Sequence, residues 1–447
     1  MPANRPQLMS FRRARRRSRW PLVVIVFSVF GLCGTLSAWY AYETDERVHF
    51  RVEEWRAQVW DALYQPADTV PTPVIVFTTL AKQPVTATLP PTPTSEAVAT
   101  ATATLPGPTA TPEPTATPTP SPTPLPPRVM LTGFRHEYQK FNNCGPASLA
   151  VNLSYWGWQG TQADTARVLK PNQDDKNVSP IEMYNYITTL GFEGYIRVNG
   201  DVETLKRFIA AGYPVLVEKG FQCLPGEERC SGWFGHYSVF KGYDDARREF
   251  YMEDTFRGPN LALSYEETLT NWRAFNYLYM VIYPNTPEHD AAVEALLGPA
   301  VIDLEQNYRD ALKRAQDEVY TLSGQDQAFA WFNIGTNLHW LRDYAGAARA
   351  YDEARLIGLP RRMLWYQFGP YRAYYYSGRY QDVYDLATFA IESSPKPGLE
   401  EAFYWRGLAL EAFGQRDRAI EDYRQALMWN PADAEARGAL TRLGVAP

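Results

Sequence analysis

The spacing of apolar residues changes several times along the chain, which predicts several separate modules. Residues 21–42 form a run without any charged side chain. At about 1.5 Å per residue, such a run can cross a hydrocarbon core of about 30 Å as a helix. We therefore predict one transmembrane helix over residues 21–42. A cleaved signal peptide is the alternative interpretation, although the run is longer than the apolar part of most signal peptides.

Two polar segments follow the apolar run. In residues 43–65, Val52, Trp55, Val59 and Leu63 recur at helical spacing, which predicts a juxtamembrane helix. Residues 66–127 contain 17 of the 35 prolines and many threonines. A segment of this composition cannot bury enough apolar surface to pack a core. We expect it to be a disordered, extended spacer of polyproline type between the N-terminal helices and the rest of the chain.

Residues 128–285 have the mixed pattern of a compact α+β domain. Ser179 and Glu182 form a capping-box pattern with Pro180 between them, so a helix is predicted to begin there and to end at Gly191. A second predicted helix covers residues 202–211. The strand predictions, from runs rich in Val, Tyr, Phe and Ile, cover residues 214–218, 236–243, 249–254 and 277–283.

From residue 286 to residue 447 the pattern becomes helical, with a repeat close to 34 residues. The first unit contains small and aromatic residues at Trp331, Gly335, Ala347, Tyr351 and Ala354. Trp365 and Gly369 recur 34 residues later, although the second helix of that unit (Val383, Ala387, Ala390) is displaced by two more. The cleanest copy is the third unit, with Phe403, Gly407, Ala419, Tyr423, Ala426 and Pro431. This part resembles the tetratricopeptide (TPR) repeat family over roughly 120 residues. The resemblance implies an all-α array with residues 290–322 as a degenerate cap. Such arrays usually offer a concave surface to a protein or peptide partner.

The distribution of charge limits the partners and the location. The formal net charge is −6, although the first nineteen residues carry seven Arg and no acid. The remainder is therefore strongly acidic, which argues against nucleic acid as a partner. The basic tip, residues 1–20, is expected to stay in the cytoplasm. Everything after the span is then expected outside the cytoplasm.

The four cysteines have different predicted environments. Cys33 lies within the predicted span, and Cys223 and Cys230 bracket a short loop that could close as a disulfide in an oxidising compartment. Cys144 is left over at the start of a predicted helix over residues 147–156. A helix N-terminus lowers the pKa of a thiol and favours the nucleophilic thiolate. The alternative is a small buried cysteine in a core helix.

A cysteine nucleophile needs a base, and His236 stands at the start of a predicted central strand. If the hairpin that follows is symmetric about residue 245, Asp254 is the cross-strand partner of His236 and can orient its ring. Glu253 is a rival, shifted by one residue onto the opposite face. Gln139 could supply an amide donor to an oxyanion hole together with the backbone N–H of Cys144.

These residues, in the order Gln139, Cys144-Gly-Pro-Ala, Gly-His236 and Asp254, resemble the papain-like cysteine peptidases related to bacteriocin leader-processing peptidases, the C-thirty-nine-like group. The resemblance covers about 150 of the 447 residues. It implies that Cys144 is the nucleophile, His236 the general base and acid, Asp254 the orienting acid and Gln139 the oxyanion donor. Gln139 stands five residues before Cys144, whereas papain-like enzymes generally have six. No phosphate-binding loop of an ATPase module occurs in the chain.

The leading functional hypothesis is a membrane-anchored peptidase that cleaves peptide bonds outside the cytoplasm, with repeats that recruit protein or peptide partners. An acyl transferase on the same triad is the first alternative, since an amine can resolve the thioester instead of water. A non-catalytic tethered scaffold is the second. No cofactor or metal is expected, because the five His and four Cys show no ligand spacing.

Overall fold

The computed structural model describes residues 35, 37–64, 67–73, 124–223, 232–394 and 396–447. The predicted basic tip, Cys33 and Cys230 lie outside these ranges, as do most of the Pro/Thr spacer and most of the predicted transmembrane helix over residues 21–42. Within the described ranges, no helix combines the length and the apolar character that a membrane crossing requires.

A seven-stranded sheet forms the centre of the predicted α+β domain. Its strands are β1 (Arg128–Met130), β2 (Phe192–Arg197), β3 (Val215–Gln222), β4 (Trp233–Asp244), β5 (Glu249–Asp254), β6 (Gly258–Ser264) and β7 (Tyr279–Pro284). The order across the sheet is β2-β7-β3-β4-β5-β6, with β1 pairing β4, and the pairs are antiparallel. The central strand β4 is buried along nearly its whole length, so residues on it are held rigidly.

Helices cover both faces of this sheet. In chain order they are α2 (Cys144–Tyr155), α3 (Gln162–Leu169), α4 (Pro180–Thr188), α5 (Val202–Ala210) and α6 (Tyr265–Arg273), and α1 (Glu46–Tyr64) precedes the domain. Capping boxes begin α3, α4 and α6, where a side chain and an acid three residues later satisfy the first free N–H groups. Gly191 adopts a φ of 82° just after α4, a conformation that costs glycine little.

The sheet separates two apolar cores. On one face, Leu149 and Leu153 of α2 pack against Val239 of β4 and Met280 of β7. On the other face, helices α5 and α6 pack their apolar side chains against Val217, Phe240 and Tyr279 of the sheet. Because α2 is buried against the sheet, its first residue, Cys144, has a fixed position relative to β4.

The C-terminal half is helical, as predicted. Its helices are α7 (Pro287–Leu297), α8 (Pro299–Ile302), α9 (Leu304–Thr321), α10 (Gly324–Trp340), α11 (Tyr344–Ile357), α12 (Gly369–Tyr376), α13 (Tyr380–Glu392), α14 (Glu400–Ala412), α15 (Arg416–Trp429) and α16 (Ala434–Arg442), with a 3₁₀ helix at Arg361–Trp365. Gly335 lies against the ring of Tyr351, and Gly407 lies in the same way against Tyr423. A side chain at either glycine would overlap the ring, so both helix pairs need glycine there for close approach.

The two halves share a continuous apolar interface. Trp233 of β4 and Phe275 belong to the same buried cluster as residues of the C-terminal helices. In the other direction, α7 contributes Val293 and Leu297 to the core of the α+β domain. A main-chain hydrogen bond also joins the two halves, because Lys176 donates its N–H to the carbonyl of Gly398 at 2.8 Å. The helical half is therefore packed firmly against the domain that carries Cys144.

Candidate active site

Cys144 is the first residue of α2, and its thiol is free and half-buried. Burial raises the pKa of a thiol. A hydrogen bond to His236, the charge of that ring and a backbone hydrogen bond from Tyr237 outweigh burial here, so the pKa of Cys144 lies below its ordinary value of 9.0. The unsatisfied N–H groups at the start of a helix favour the thiolate as well. The structure thus places Cys144 where a cysteine becomes nucleophilic.

His236 on β4 is almost fully buried and joins the thiol to a carboxylate. Its Nε2 lies 3.0 Å from Oδ2 of Asp254. Since Nε2 is committed to Asp254, Nδ1 is the nitrogen left to hydrogen-bond the thiol. Burial alone lowers the pKa of a histidine, but the charge and hydrogen bond of Asp254 dominate and raise the pKa of His236 above 6.5. An imidazolium beside a thiolate is the charge state that this arrangement favours.

Asp254, at the end of β5, is held by several donors. Its Oδ2 accepts a hydrogen bond from Oγ of Ser238 at 3.0 Å, and its Oδ1 accepts the backbone N–H groups of Phe256 and Arg257 at 3.0 and 2.8 Å. Lys219 Nζ lies 3.8 Å from Oδ2. Burial raises the pKa of Asp254, but His236, Lys219 and these hydrogen bonds hold it far below its ordinary value. Asp254 is therefore a fixed negative charge behind the imidazole.

The predicted hairpin register was wrong, although Asp254 still reaches His236. Strand β4 pairs β5 through Val239 with Glu253 and Asp244 with Glu249, with a bulge between Phe240 and Gly242. The hairpin is therefore not symmetric about residue 245. Continuing the register places Asp254 opposite Ser238 rather than opposite His236. Ser238 and His236 share one face of β4, so the carboxylate contacts one side chain directly across and the other on the diagonal.

The rival carboxylate, Glu253, faces the other side of the sheet, as the alternation of a strand requires. It accepts from His136 Nδ1 at 2.6 Å and forms an ion pair with Lys241. Burial raises the pKa of Glu253, but the hydrogen bonds of His136 and Lys241 lower it below its ordinary value. The structure brings Glu253 together with His136 and not with His236.

Gln139 lines the same cleft as Cys144 and is oriented by Thr255, the residue after Asp254. The Thr255 hydroxyl donates to Gln139 Oε1 at 2.9 Å, and the Gln139 N–H donates to the Thr255 carbonyl at 2.8 Å. With Oε1 occupied, the amide group of Gln139 has its N–H donors left for other partners. Tyr138 stands six residues before Cys144, where papain-like enzymes generally have the glutamine, and it is 58 % exposed.

Cys144, His236 and Gln139 line one open cleft, which we call the active-site cleft. Its walls come from three parts of the chain: Phe50, Glu53, Glu54 and Ala57 of α1; Phe141, Asn142, Lys176, Phe234, Gly235 and Phe256 of the α+β domain; and Arg362, Trp365, Tyr366, Ser394 and Lys396 of the helical half. A much smaller cavity continues past Cys144 to Lys170 and Tyr237. Catalytic chemistry and a space for a substrate thus coincide.

Sequence reasoning missed several residues of this site. Ser238 could have been found, because it lies two positions after His236 and hence on the same face of a strand. Lys219 also left a signal, as a charged residue within a buried apolar strand. No local pattern indicates Tyr366, which comes from the helical half and lies against Gly235, directly before His236.

Two further sequence predictions concern a disulfide and the binding of a metal ion. Cys223 is disulfide-bonded, and its predicted partner Cys230 lies outside the described residues. Among the residues that the structure describes, no group of three or more His, Cys, Asp or Glu side chains is arranged to hold a metal ion.

Comparison with known proteins gives the class of the domain. Residues 131–280 match the model of the Peptidase_C39 like family. No curated protein sequence matches the chain. Among solved structures, a putative C39-like peptidase from Bacillus anthracis is similar at 16% identity and a TM-score of 0.30, over 36% of this chain and 98% of that one.

Two further solved structures are similar. The peptidase domain of Streptococcus ComA, a bi-functional ABC transporter, has 19% identity and a TM-score of 0.27, over 34% of this chain and 100% of its own. A double glycine motif protease from an AMS/PCAT transporter, in complex with the leader peptide, has 17% identity and a TM-score of 0.26. The similarity covers 35% of this chain and 95% of that one. The family match identifies residues 131–280 as a cysteine-type peptidase domain.

Proposed function

We propose that the chain is a membrane-anchored, extracytoplasmic cysteine peptidase that hydrolyses peptide bonds with Cys144, His236 and Asp254. The observation that carries this proposal is the order of three side chains: Cys144 at the start of a buried helix and His236 line one cleft, and Asp254 lies 3.0 Å from Nε2 of His236. A buried structural cysteine needs neither a charged histidine partner nor an opening to a cleft.

The proposed reaction begins with attack of the Cys144 thiolate on the carbonyl carbon of the substrate. The C–N bond breaks as a C–S thioester bond forms, and the His236 imidazolium gives its proton to the leaving amine. Water then attacks the thioester while neutral His236 takes its proton. The acid product leaves, and the thiolate–imidazolium pair is restored. Throughout this cycle Asp254 orients the ring and stabilises its charged form.

The oxyanion of each tetrahedral intermediate needs donors that are already in place. We assign this role to Gln139 and to the backbone N–H of Cys144. The Thr255 hydroxyl supports the assignment, because it occupies Gln139 Oε1 and so turns the amide donors away from itself. The backbone N–H at the start of α2 has the favourable end of the helix dipole behind it.

We also propose that the helical half is a TPR-type array that recruits a protein or peptide partner. The equivalent contacts of Gly335 with Tyr351 and of Gly407 with Tyr423 support a repeated unit. The single-pass anchor over residues 21–42 remains a proposal from the apolar run, the basic tip before it and the disulfide-bonded state of Cys223.

The test is product analysis with a proteome-derived peptide library in H₂¹⁸O. Wild-type protein is expected to produce new peptide C-termini that carry one ¹⁸O atom, and Cys144→Ala is expected to produce none. Mass spectrometry then gives the cleavage motif. Products joined to an added amine, without ¹⁸O, would indicate acyl transfer instead. No Cys144-dependent product of either kind would contradict the proposed function.

A further inference from the structure

Helix α1 lies in the active-site cleft. Phe50, Glu53, Glu54 and Ala57 line the cleft and have the i, i+3, i+4, i+7 spacing of one helix face. This is not the apolar face that the sequence indicated. Trp55 and Leu63 of that face are 63 % and 72 % exposed. The face that α1 buries is therefore the one that carries two carboxylates.

The opposite wall of the same cleft is basic. Lys176 comes from the peptidase domain, and Arg362 and Lys396 come from the helical half. Lys396 Nζ lies 3.3 Å from Glu53 Oε1 and 3.1 Å from Oδ1 of Asp174 in the peptidase domain. Arg362 and Glu54 attract each other electrostatically. The charges of α1 and those of the cleft are thus complementary.

The carboxylates that line the cleft, Glu53 and Glu54, both belong to α1. Glu53 is only 7 % exposed, and burying a carboxylate is costly unless cations compensate it. If α1 moved out of the cleft, Glu53 and Glu54 would leave with it, and Lys176 and Lys396 would keep Asp174 as a nearby carboxylate. An empty cleft of this kind favours a ligand that brings its own negative charge.

Helix α1 is also attached beside the cleft by the segment that follows it. Val70 donates its N–H to the Leu359 carbonyl at 3.0 Å, and Arg361 donates its N–H to the Asp68 carbonyl at 3.0 Å. The Val70 side chain is 2 % exposed within the core of the helical half. Asp61 of α1 also forms an ion pair with Arg361 at 2.6 Å. If α1 breaks this pair and leaves the cleft, residues 68–70 keep the chain bound next to it, so its effective concentration stays high.

We propose that the cleft selects a peptide with an acidic side chain, which Arg362 and Lys396 of the helical half bind, and that Glu53 and Glu54 of α1 hold this position until a substrate replaces them. This inference depends on the proposed peptidase function and names its substrate class. An acidic substrate exchanges one carboxylate for another at the same cations, whereas a neutral substrate would not replace the carboxylates of Glu53 and Glu54.

The test measures alkylation of Cys144 in the full-length chain by tetrapeptide chloromethyl ketones. Each probe carries one Glu, or its isosteric Gln, at one of the four positions. The new C–S bond releases chloride, and intact-mass spectrometry follows the rate. Wild type is expected to react at least about fivefold faster with Glu than with Gln at one position, and salt is expected to reduce this ratio because it screens charge.

Variants separate the parts of the inference. Arg362→Met and Lys396→Met are expected to bring the Glu/Gln ratio close to one, while Lys396→Arg keeps it. Glu53→Gln combined with Glu54→Gln is expected to raise the rate with the Glu probes by about fivefold or more, because the intramolecular competitor is weakened. Arg349→Met and Glu43→Gln, exposed residues that do not line the cleft, are the matched controls.

The outcomes distinguish this inference from the peptidase proposal. If the probes alkylate Cys144 but the Glu/Gln ratio stays near one at every position, the acidic specificity is wrong. If Glu53→Gln with Glu54→Gln lowers stability without raising the rate, α1 is a structural brace and not a competitor. If no probe reacts with Cys144 faster than with a free thiol, the peptidase proposal itself fails.

Discussion

Two histidine–carboxylate pairs flank the end of β5, and they face opposite sides of the sheet. His236 lies 3.0 Å from Asp254, and His136 lies 2.6 Å from the preceding residue, Glu253. The pairs are alike in chemistry, although the side chain of His136 is 14 % exposed and that of His236 only 1 %. They differ in surroundings, because only the first pair has a thiol at a helix N-terminus and an open cleft beside it. A histidine–carboxylate pair alone is therefore no sign of catalysis. A neighbouring nucleophile is what distinguishes the proposed catalytic pair from the structural one.

The largest expected difference is between the two histidines. His236→Ala removes the proposed general base and should lower peptide hydrolysis by about 10²–10⁴-fold. His136→Ala should leave the rate within about threefold wherever the protein is folded, since His136 contacts Glu253 and not Cys144. Hydrolysis of the best peptide from the library, with circular dichroism as a folding control, measures both. Equal losses in the two variants would contradict the assignment.

Gln139→Ala should lower hydrolysis by about 10²–10³-fold, the usual cost of removing an oxyanion donor. Simple alkylation of Cys144 by iodoacetamide passes through no oxyanion, so that rate should stay at the wild-type value. Comparing the two rates in one preparation separates a donor from a residue that only supports the thiol. A parallel fall in alkylation would show that Gln139 acts on the nucleophile instead.

The two neighbouring carboxylates should behave differently. Asp254→Asn keeps the shape but removes the charge that raises the pKa of His236, so the imidazolium is lost at a lower pH. The alkaline limb of the pH–rate profile should move to lower pH, and the rate at pH 7 should fall by about tenfold or more. A profile unchanged from wild type would remove Asp254 from the mechanism.

Glu253→Gln is the matched variant on the other face. It leaves the buried Lys241 without its carboxylate, and we expect a loss of about 1–3 kcal/mol in the free energy of unfolding. The pH–rate profile should keep its shape. Urea unfolding followed by fluorescence measures the first quantity, and a shifted profile would mean that Glu253 also influences the site.

The smallest expected effect concerns Ser238. Its hydroxyl gives one of the hydrogen bonds that hold Asp254, so Ser238→Ala should lower the rate by about two- to fivefold, in line with the net value of one hydrogen bond. Steady-state kinetics at pH 7 measures this change. A loss of rate as large as that of Asp254→Asn would mean that Ser238 does more than hold the Asp254 carboxylate in position.

The sequence predicted the elements of the site better than their arrangement. The apolar residues after Cys144 indicated the helix, and the run after His236 indicated the strand, because both patterns are local. The turn closes with Asp244 opposite Glu249, so the hairpin is centred between residues 246 and 247 instead of on residue 245. The local pattern left no signal for this turn position, and the predicted register was therefore wrong.

Long-range docking was harder to predict than any local element. Nothing near Tyr366, Arg362 or Lys396 in sequence shows that these residues meet Cys144 across an interface between two halves. The same holds for α1, whose helical spacing was visible while the face it buries was not. Tertiary packing decided which face of α1 turned inward.

The most direct test of the account is the pH dependence of Cys144 alkylation by iodoacetamide in the full-length chain. Peptide mapping by mass spectrometry compares wild type, His236→Ala and His136→Ala. We expect wild type and His136→Ala to react rapidly well below the ordinary thiol pKa of 9.0, and His236→Ala to lose this reactivity. If Cys144 reacts as an ordinary thiol in wild type, or equally in all three proteins, the thiolate–imidazolium pair does not exist and the account is wrong.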